Sequence, residues 1–254
     1  MTGVRWSAAT LSRDWSKPLE GSICAVMWPT LTPARRERWF DELYVWTEGF
    51  QASTMQRARI QLAALHKALM LLEREQVKKV GVTLSFGTVE RCLDLVTDTF
   101  DAHRLTKHRL CVLLRGSLER IRSPYRVRSF IDWLRTQEIP IGYRLSADRI
   151  SMEMRAIDFL RPDFSKVLAP SSNRLEYWQD VSLEARAAGL KPDWLIVAGI
   201  ESDHQRQLAA TAGFGFAQGS ALRPPYDPPT TAGAGKSPVL PITLPPKDID
   251  LSFD

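Results

Sequence analysis

The sequence predicts an α/β fold in which eight strands and the helices between them close into one (β/α)8 barrel, similar to a TIM barrel. The first observation is a strand–helix–strand pattern. Leu195–Ala198 is a short apolar run, Ser202–Ala212 has helical leucine and alanine spacing, and Phe214–Gln218 is a second short apolar run. Such a unit implies parallel strands. The second observation is that this alternation repeats over roughly 200 residues, the usual size of such a barrel.

The chain opens its barrel with an irregular strand pair, which a long helix follows. Ile23–Trp28 is an apolar run that ends at a proline, and Arg38–Trp46 is a second strand candidate. Prolines between them predict a hairpin-like connection. Met55–Leu72 has apolar residues at three- and four-residue steps, which predicts a helix packed on the core. Ser53 or Thr54 can cap its start.

Strand and helix patterns then alternate regularly along the middle of the chain. Four strands are predicted at Val80–Leu84, Leu110–Leu114, Ile139–Leu145 and Phe164–Leu168. Four helices are predicted at Thr88–Phe100, Val127–Gln137, Arg149–Leu160 and Asn173–Ala188. A doubly wound open sheet is the structural alternative, but no glycine-rich phosphate loop follows the first strands.

The domain organisation follows from shifts in composition at the two ends of the chain. Residues 1–20 are polar and aperiodic, which predicts a flexible arm, and residues 21–225 contain the barrel pattern. Half of the sixteen prolines lie after Arg223, so residues 226–254 are predicted to be a disordered tail. The tail ends in mixed apolar and acidic residues, and a docking peptide for a partner is the alternative interpretation.

Composition excludes several classes of function. No segment is apolar enough to span a bilayer, and the first residues lack the apolar core of a signal peptide, so a cytoplasmic protein with no membrane contact is expected. The three cysteines form no CxxC pair and the four histidines have no metal-ligand spacing, which gives no indication of a metal or other cofactor.

One segment of the chain is strongly basic. Between residues 104 and 128 eight lysines and arginines face a single glutamate. This pattern suits either an anion-binding surface or a solvated helix face beside an acidic partner. No nucleic-acid-binding motif accompanies the segment, so nucleic acid is not an expected partner.

The last strand–helix–strand unit also carries a resemblance to a known family. Ala-Gly-Ile-Glu at 198–201, Phe-Ala-Gln-Gly at 216–219 and Arg-Pro at 223–224 resemble the C-terminal motifs of EAL domains, the bacterial cyclic di-GMP phosphodiesterases. The resemblance covers roughly residues 22–225. It implies a barrel of the EAL type and, in intact members, carboxylates that hold two divalent cations at the carboxyl ends of the strands.

The family's metal-binding positions depart from the pattern in the first half of the barrel. The signature Glu-Ala-Leu-x-Arg-Trp resembles residues 41–46, which places Asp41 at the glutamate and Val45 at the arginine. Thr83 stands for the asparagine of the next strand. On the following strand, Leu113 and Gly116 stand where the family has two glutamates, and Arg115 lies between them. Arg144-Leu145-Ser146-Ala147 stands in place of the family motif Asp-Asp-Phe-Gly.

The second half of the barrel keeps more of the pattern. Lys166, Glu201 and Gln218 match the family, whereas Leu168 and Ala198 replace acidic residues. Ser220 replaces the usual tyrosine. The matching side chains also have structural interpretations: the lysine can pair with Asp41 or Glu201, Glu201 can cap the following helix, and the glutamine can bond loop backbone.

The sequence therefore predicts a degenerate EAL-type barrel without catalytic, metal-binding or cofactor-binding residues. Arg115 and Arg144 are expected at the barrel mouth, where a fixed positive charge repels divalent cations. The expected function is regulation through an unidentified protein partner in bacterial signalling, such as control of motility, adhesion or biofilm formation. A homodimer is a further assembly to test, and the docking surface is an outer helix, the basic segment or the tail. Binding of cyclic di-GMP without hydrolysis is the alternative, although not an expected one, and active hydrolysis is a remote one.

Overall fold

The computed structural model describes residues 2–6, 22–48, 52–103, 106–145, 150, 153–229 and 240–241. Those ranges contain ten strands: β1 Thr2–Trp6, β2 Ser22–Leu31, β3 Arg38–Glu48, β4 Val80–Ser85, β5 Leu110–Arg115, β6 Ile141–Arg144, β7 Phe164–Leu168, β8 Leu195–Ala198, β9 Phe216–Gln218 and β10 Leu240–Pro241. They also contain six α-helices: α1 Thr54–Glu73, α2 Phe86–Asp101, α3 Pro124–Thr136, α4 Met154–Leu160, α5 Leu175–Ala187 and α6 Asp203–Thr211.

Strands β2 to β9 close into an eight-stranded barrel, which confirms the predicted fold class. Neighbouring strands from β3 to β9 are parallel, and β2 is antiparallel to β3 and to β9, with Leu31 opposite Ala217 at the closure. The antiparallel strand β2 accounts for the irregular first strand pair that the sequence predicts. Strands β1 and β10 extend the sheet outside the barrel, because β1 pairs with β2 and β10 pairs with β1.

Most element bounds agree with the sequence patterns within a few residues. The long helix begins one residue before the predicted start, and Ser53 forms a capping box with Gln56, which satisfies backbone N–H groups at the helix start. Strand β2 continues through Pro29, which lies opposite Asp41. The helix predicted from Arg149 begins only at Met154, which corrects that bound.

The described residues form two hydrophobic cores. The larger lies between the barrel wall and the helices, and the smaller lies inside the barrel and consists of Phe40, Cys111, Leu113, Phe164 and Ile196. Glycines make room for the rings inside: a Cβ atom on Gly142 would lie 2.4 Å from the Phe164 ring. The lower half of the barrel is therefore packed with side chains, as in other eight-stranded barrels.

The two predicted terminal segments are described only in part. Within residues 1–20, Thr2–Trp6 form strand β1, and residues 7–20 lie outside the described residues. Beyond residue 225, Tyr226 exchanges two backbone hydrogen bonds with Met27, and Lys67 donates to the carbonyl of Pro229. Contacts with the barrel thus continue past residue 225, while residues 230–239 and 242–254 lie outside the described residues.

All three cysteines are buried and none of them forms a disulfide, in agreement with the absence of a CxxC pair. Among the described residues, no helix combines the length and the apolar character that a bilayer crossing requires.

Candidate functional site at the barrel mouth

Strand β3 directs one carboxylate into the barrel. Glu42 contacts residues from three other strands, namely Thr83 of β4, Lys166 of β7 and Gln218 of β9. Strands this far apart around the wall can meet only across the interior. Because side chains alternate along a strand, those of Tyr44 and Trp46 lie on the same inner face of β3 as Glu42. Leu43 and Val45 lie on the opposite face and pack in the larger core, between the barrel wall and the helices.

The Glu42 carboxylate is the centre of a buried hydrogen-bonded group. Lys166 Nζ lies 2.5 Å from Glu42 Oε2, and the Gln218 amide donates to the same oxygen over 3.1 Å. The Thr83 hydroxyl donates to Oε1 over 3.1 Å. The Gln218 amide also donates to Thr30 over 2.6 Å. We call these five residues the Glu42 cluster, and its charged members are an ion pair whose side chains are 2% and 8% exposed.

The electrostatics of the cluster favour the charged carboxylate. Burial alone would raise the pKa of Glu42, but Lys166, and then Gln218 and Arg144, hold that pKa below its ordinary value of 4.5. Burial lowers the pKa of Lys166, its partner Glu42 opposes that effect, and the charge of Arg144 adds to it. The lysine therefore depends on Glu42 to stay charged in this interior.

Two further cations lie beside the Glu42 cluster, at the carboxyl ends of the strands. Arg144 is in register with Lys166, and Arg115 ends β5. Burial, and then the charge of Arg144, lower the pKa of Arg115 to about 10. Burial raises the pKa of the Tyr44 hydroxyl, and the positive charges of Arg144 and Arg115 oppose that rise. Arg115, Arg144 and Tyr44 therefore lie close enough to interact electrostatically, and we call this end of the barrel the barrel mouth.

Asp41 lies outside this group, although the resemblance places it at the family glutamate. Its carboxylate pairs with Arg38 over 3.1 Å on the outer side of β3. Burial raises the pKa of Asp41, and Arg38, Tyr226 and Arg223 oppose that shift. The inward carboxylate is Glu42, one residue further along.

Of the seven positions expected around the mouth, the structure brings five together: Thr83, Arg115, Arg144, Lys166 and Gln218. The expected pairing of Lys166 with Asp41 or Glu201 is replaced by its pairing with Glu42. Gln218 bonds side chains rather than loop backbone. Glu201 is exposed after β8, and Ser202, not Glu201, caps α6.

The sequence pattern did not identify Glu42 as a site residue. The alternation of side chains along β3 is the feature that could have identified it. Leu43 and Val45 are the apolar residues that a strand would turn toward the surrounding helices, and Asp41 shares their phase. A one-residue change of register exchanges the two faces of a strand, and here it transfers the inward position from Asp41 to Glu42.

The basic segment between residues 104 and 128 does not form one surface in its described part. Arg109 donates to the carbonyl of Leu72, and Arg128 stacks over the Phe159 ring at 4.3 Å. Arg126 lies 3.7 Å from Asp94. These three side chains thus take part in packing between elements on the outside of the barrel, while Arg115 lies at the mouth.

Two histidines meet outside the mouth, between α1 and the end of α2. His103 Nε2 lies 3.3 Å from His66 Nδ1, and His103 Nδ1 lies 2.6 Å from Glu73. Burial, and then His103, lower the pKa of His66. This chain of side chains belongs to the packing of the outer helices.

The described residues of the mouth do not fit a pair of divalent cations. The oxygen ligands of the Glu42 cluster are one carboxylate, two hydroxyls and an amide, and the carboxylate is already bound by Lys166. Across the part of the chain that the structure describes, no three histidine, cysteine or acidic side chains converge as metal ligands would. Hard cations such as Mg²⁺ need more oxygen ligands than this group supplies.

Comparison with known proteins gives matches in structure but not in sequence. No family model matches the chain, and no curated protein matches it. The solved structures that match include the EAL domain of Mycobacterium smegmatis DcpA, with a TM-score of 0.57 and 16% identity over 80% of this chain and 90% of that one.

Two further matches were solved with a ligand. A standalone EAL protein from Vibrio cholerae O395, in its c-di-GMP bound form, has a TM-score of 0.59 and 12% identity over 83% of this chain and 96% of that one. The PaMucR phosphodiesterase in complex with c-di-GMP has a TM-score of 0.60 and 16% identity over 80% of this chain and 96% of that one. The chain therefore has the EAL-type barrel fold that its C-terminal motifs predicted.

Proposed function

We propose that this chain is a degenerate EAL-type protein that does not hydrolyse cyclic di-GMP and that regulates bacterial signalling by binding another protein. Motility, adhesion and biofilm formation are the processes we expect it to control. The observation that carries the proposal is the neutralisation of Glu42 by Lys166, together with the neighbouring guanidinium groups of Arg115 and Arg144.

The charges at the mouth oppose the chemistry of a two-metal phosphodiesterase. Such an enzyme uses two cations to generate hydroxide and to stabilise the attacking and leaving oxygens. Two unit charges of the same sign about 4 Å apart repel by about 4 kcal/mol at an effective dielectric constant of about 20. A divalent cation beside Arg144 would meet this repulsion twice over, and a guanidinium does not lose its proton to relieve it.

Glu42 is also a poor candidate for a metal ligand because it already has a cation. A metal could use its carboxylate fully only by displacing Lys166, and the displaced ammonium group would be left in a buried position. Removing the partner of a buried charge costs about 3–5 kcal/mol. Lys166 therefore competes with any metal ion for the Glu42 carboxylate.

Action through a protein partner is favoured because it requires only the parts of the fold that the chain has kept. The barrel is closed, and a cluster of apolar side chains packs inside it. Its outer helices expose large apolar residues, among them Tyr125, Tyr177 and Leu183. Isolated exposed apolar residues are common on any surface, so these positions serve as places to test by mutation rather than as a defined interface.

One titration tests the proposal. The chain is titrated with cyclic di-GMP in a calorimeter, with and without Mn²⁺, and the mixture is analysed for linear dinucleotide. We expect no product under either condition. A linear product that requires Mn²⁺ or Mg²⁺ and that disappears in the Glu42→Gln variant would overturn the proposal. Affinity purification of the intact chain from its host is the second arm, and recovery of no stoichiometric partner would count against protein binding.

Binding of cyclic di-GMP without hydrolysis is the second candidate function. The cations Arg115, Arg144 and Lys166 near Tyr44 favour it, since guanidinium groups bind phosphate well, and two of the structures with the same fold hold c-di-GMP. Val45 argues against it, because the resemblance places the family's dinucleotide-binding arginine there and the valine packs in the outer core. Heat of binding at micromolar dinucleotide, with no product, would favour this candidate over the first.

A further inference from the structure

A groove lies on the outside of the barrel, along helix α5. It has a volume of about 540 Å³ and is lined by residues 170–174, which follow β7, and by one face of α5 from Tyr177 to Glu184. This volume falls within the usual range of ligand-binding clefts, about 300–1,000 Å³. We call it the α5 groove. Within the part of the chain that the structure describes, no other helix lines it, so α5 presents the wall that a partner would contact.

The wall of the α5 groove carries two neighbouring rows of side chains. Tyr177 and Val181 form an apolar row, and Asp180 and Glu184 form an acidic row beside it. The two residues of each row are four positions apart, which places them on one face of the helix and about 6 Å apart along its axis. Tyr177 is 52% exposed. One exposed ring defines no interface, whereas a ring beside a groove and an acidic row gives the surface both shape and charge.

Neighbouring cations do not neutralise the acidic row. The carboxylate groups of Asp180 and Glu184 form no hydrogen bond or ion pair with any residue that the structure describes. Arg174, at the start of α5, already pairs with a neighbouring glutamate over 3.4 Å. Arg186, in the last turn, extends toward the end of α6, where an added Cβ atom on Gly213 would lie 3.6 Å from its guanidinium group. The acidic row therefore leaves a local charge of minus two, one for each carboxylate, on a chain whose net charge is +5.

We propose that the α5 groove binds a basic amphipathic helix of the partner protein. Lysine or arginine side chains one turn apart on that helix would pair with Asp180 and Glu184, and apolar side chains with the same spacing would pack against Tyr177 and Val181. The pattern of α5 carries the inference, because a helix laid along another helix presents its own rows at steps of three and four residues. The inference rests on the proposed function, since it identifies the surface by which the chain recognises its partner.

The charge of the α5 groove disfavours other occupants. Asp180 and Glu184 would repel the phosphate groups of a nucleic acid or of cyclic di-GMP. A second copy of the chain, docked through the same face, would bring two acidic rows together, and like charges across an interface are unfavourable. A divalent cation needs more oxygen ligands than two carboxylates one turn apart supply. A basic helix is the occupant that fits both rows.

The test is fluorescence anisotropy of the intact chain with a labelled helical peptide of about 18 residues, or five turns, that carries leucines in one row and lysines in the next. A peptide with glutamine in place of lysine is the matched probe. We expect the lysine probe to bind about three- to tenfold more tightly than the glutamine probe, with an affinity that falls as salt rises. The double variant Asp180→Asn and Glu184→Gln should weaken the lysine probe by the same factor. Tyr177→Ser should weaken both probes about tenfold, because it removes the apolar contact.

Helix α2 supplies a matched control. Asp94 and Asp98 are also exposed and four residues apart on one helix, but they do not line the α5 groove. The double variant Asp94→Asn and Asp98→Asn removes the same charge and should change the affinity for the lysine probe less than about twofold. The thermal unfolding temperature of each variant shows whether it is folded.

Three results would overturn the inference. They are equal binding of the two probes, equal weakening by the α5 and α2 double variants, and a dimer in sedimentation that Tyr177→Ser dissociates, which would assign the groove to a second copy of the chain. Assay of the same samples for linear dinucleotide separates the two proposals. If product forms from cyclic di-GMP, the proposed function fails, whereas if the lysine probe does not bind and no product forms, only the proposal for the α5 groove fails.

Discussion

The ion pair between Glu42 and Lys166 should be among the strongest single couplings in the barrel. Lys166→Met keeps the length of the side chain but leaves the carboxylate with two neutral donors, Thr83 and Gln218. Removing one partner of a buried pair costs about 3–5 kcal/mol of unfolding free energy. We expect that cost for Lys166→Met and a somewhat smaller one for Glu42→Gln, because an unpaired lysine can release its proton.

The double variant separates the pair from its parts. Glu42→Gln combined with Lys166→Met removes both buried charges, and replacing a whole buried pair by uncharged groups is often neutral. We therefore expect the double variant to lie within about 2 kcal/mol of the wild type, which makes the coupling free energy about 3 kcal/mol or more. Urea unfolding of the four proteins at pH 7 measures it. In thermal unfolding each kcal/mol corresponds to about 2–4 °C for a domain of this size.

The pH dependence of stability gives an independent reading of the same pair. The folded state lowers the pKa of Glu42 below 4.5, so its contribution to stability is complete above pH 4.5 and is lost as the pH falls through the folded-state pKa. Glu42→Gln should lose less stability than the wild type over that range. Arg174→Gln breaks an exposed pair with Glu176 and should cost less than about 1 kcal/mol. The reasoning would be refuted if Glu42→Gln and Lys166→Met each cost under about 1 kcal/mol and their costs simply added in the double variant. It would also be refuted if Glu42→Gln left the loss of stability at acid pH unchanged.

Three further substitutions test other parts of the structure by urea unfolding. Arg144→Gln should leave stability unchanged or raise it by about 1 kcal/mol, because the lost charge repels two cations and attracts one anion; a loss above about 2 kcal/mol would contradict the like-charge reading. Gly142→Ala should cost about 1–3 kcal/mol or more from the clash inside the barrel. Gly87→Ala should cost nothing, because its added Cβ atom would meet the Arg91 side chain at an ordinary contact distance of 3.7 Å. Tyr226→Phe should cost about 1 kcal/mol, since the Tyr226 hydroxyl favours the charged form of the buried Asp41 carboxyl; no loss would show that this contact does not stabilise β3.

The sequence was sufficient for the barrel because its strands are short apolar runs between helical patterns. Phe164–Leu168 and Leu195–Ala198 have the predicted bounds, and both are almost wholly buried. Local patterns succeed at such elements because burial on both faces leaves little choice of residue type. The pairing of Thr2–Trp6 with Leu240–Pro241 joins distant parts of the chain, and no local pattern indicates it.

The site was predicted less completely, and the reason is the register of β3. The motif comparison placed the Asp41 side chain inside the barrel. Leu43 and Val45 lie on the same face of β3 as Asp41, and they pack against the helices, so this face is turned outward. Arg115 and Arg144 were expected at the mouth, and the structure brings them together with Lys166. Charge partners across a barrel depend on which face each strand turns inward, and a one-residue difference in β3 changed the carboxylate from Asp41 to Glu42.

Crystals soaked in Mn²⁺ test the central claim most directly, because the anomalous signal locates the ion without any assumption about activity. The account predicts no manganese peak within coordination distance of Glu42, at about 2.0–2.6 Å, and an intact contact between Glu42 and Lys166. Two manganese ions bound beside Glu42, with Lys166 and Arg144 turned away from the mouth, would contradict it.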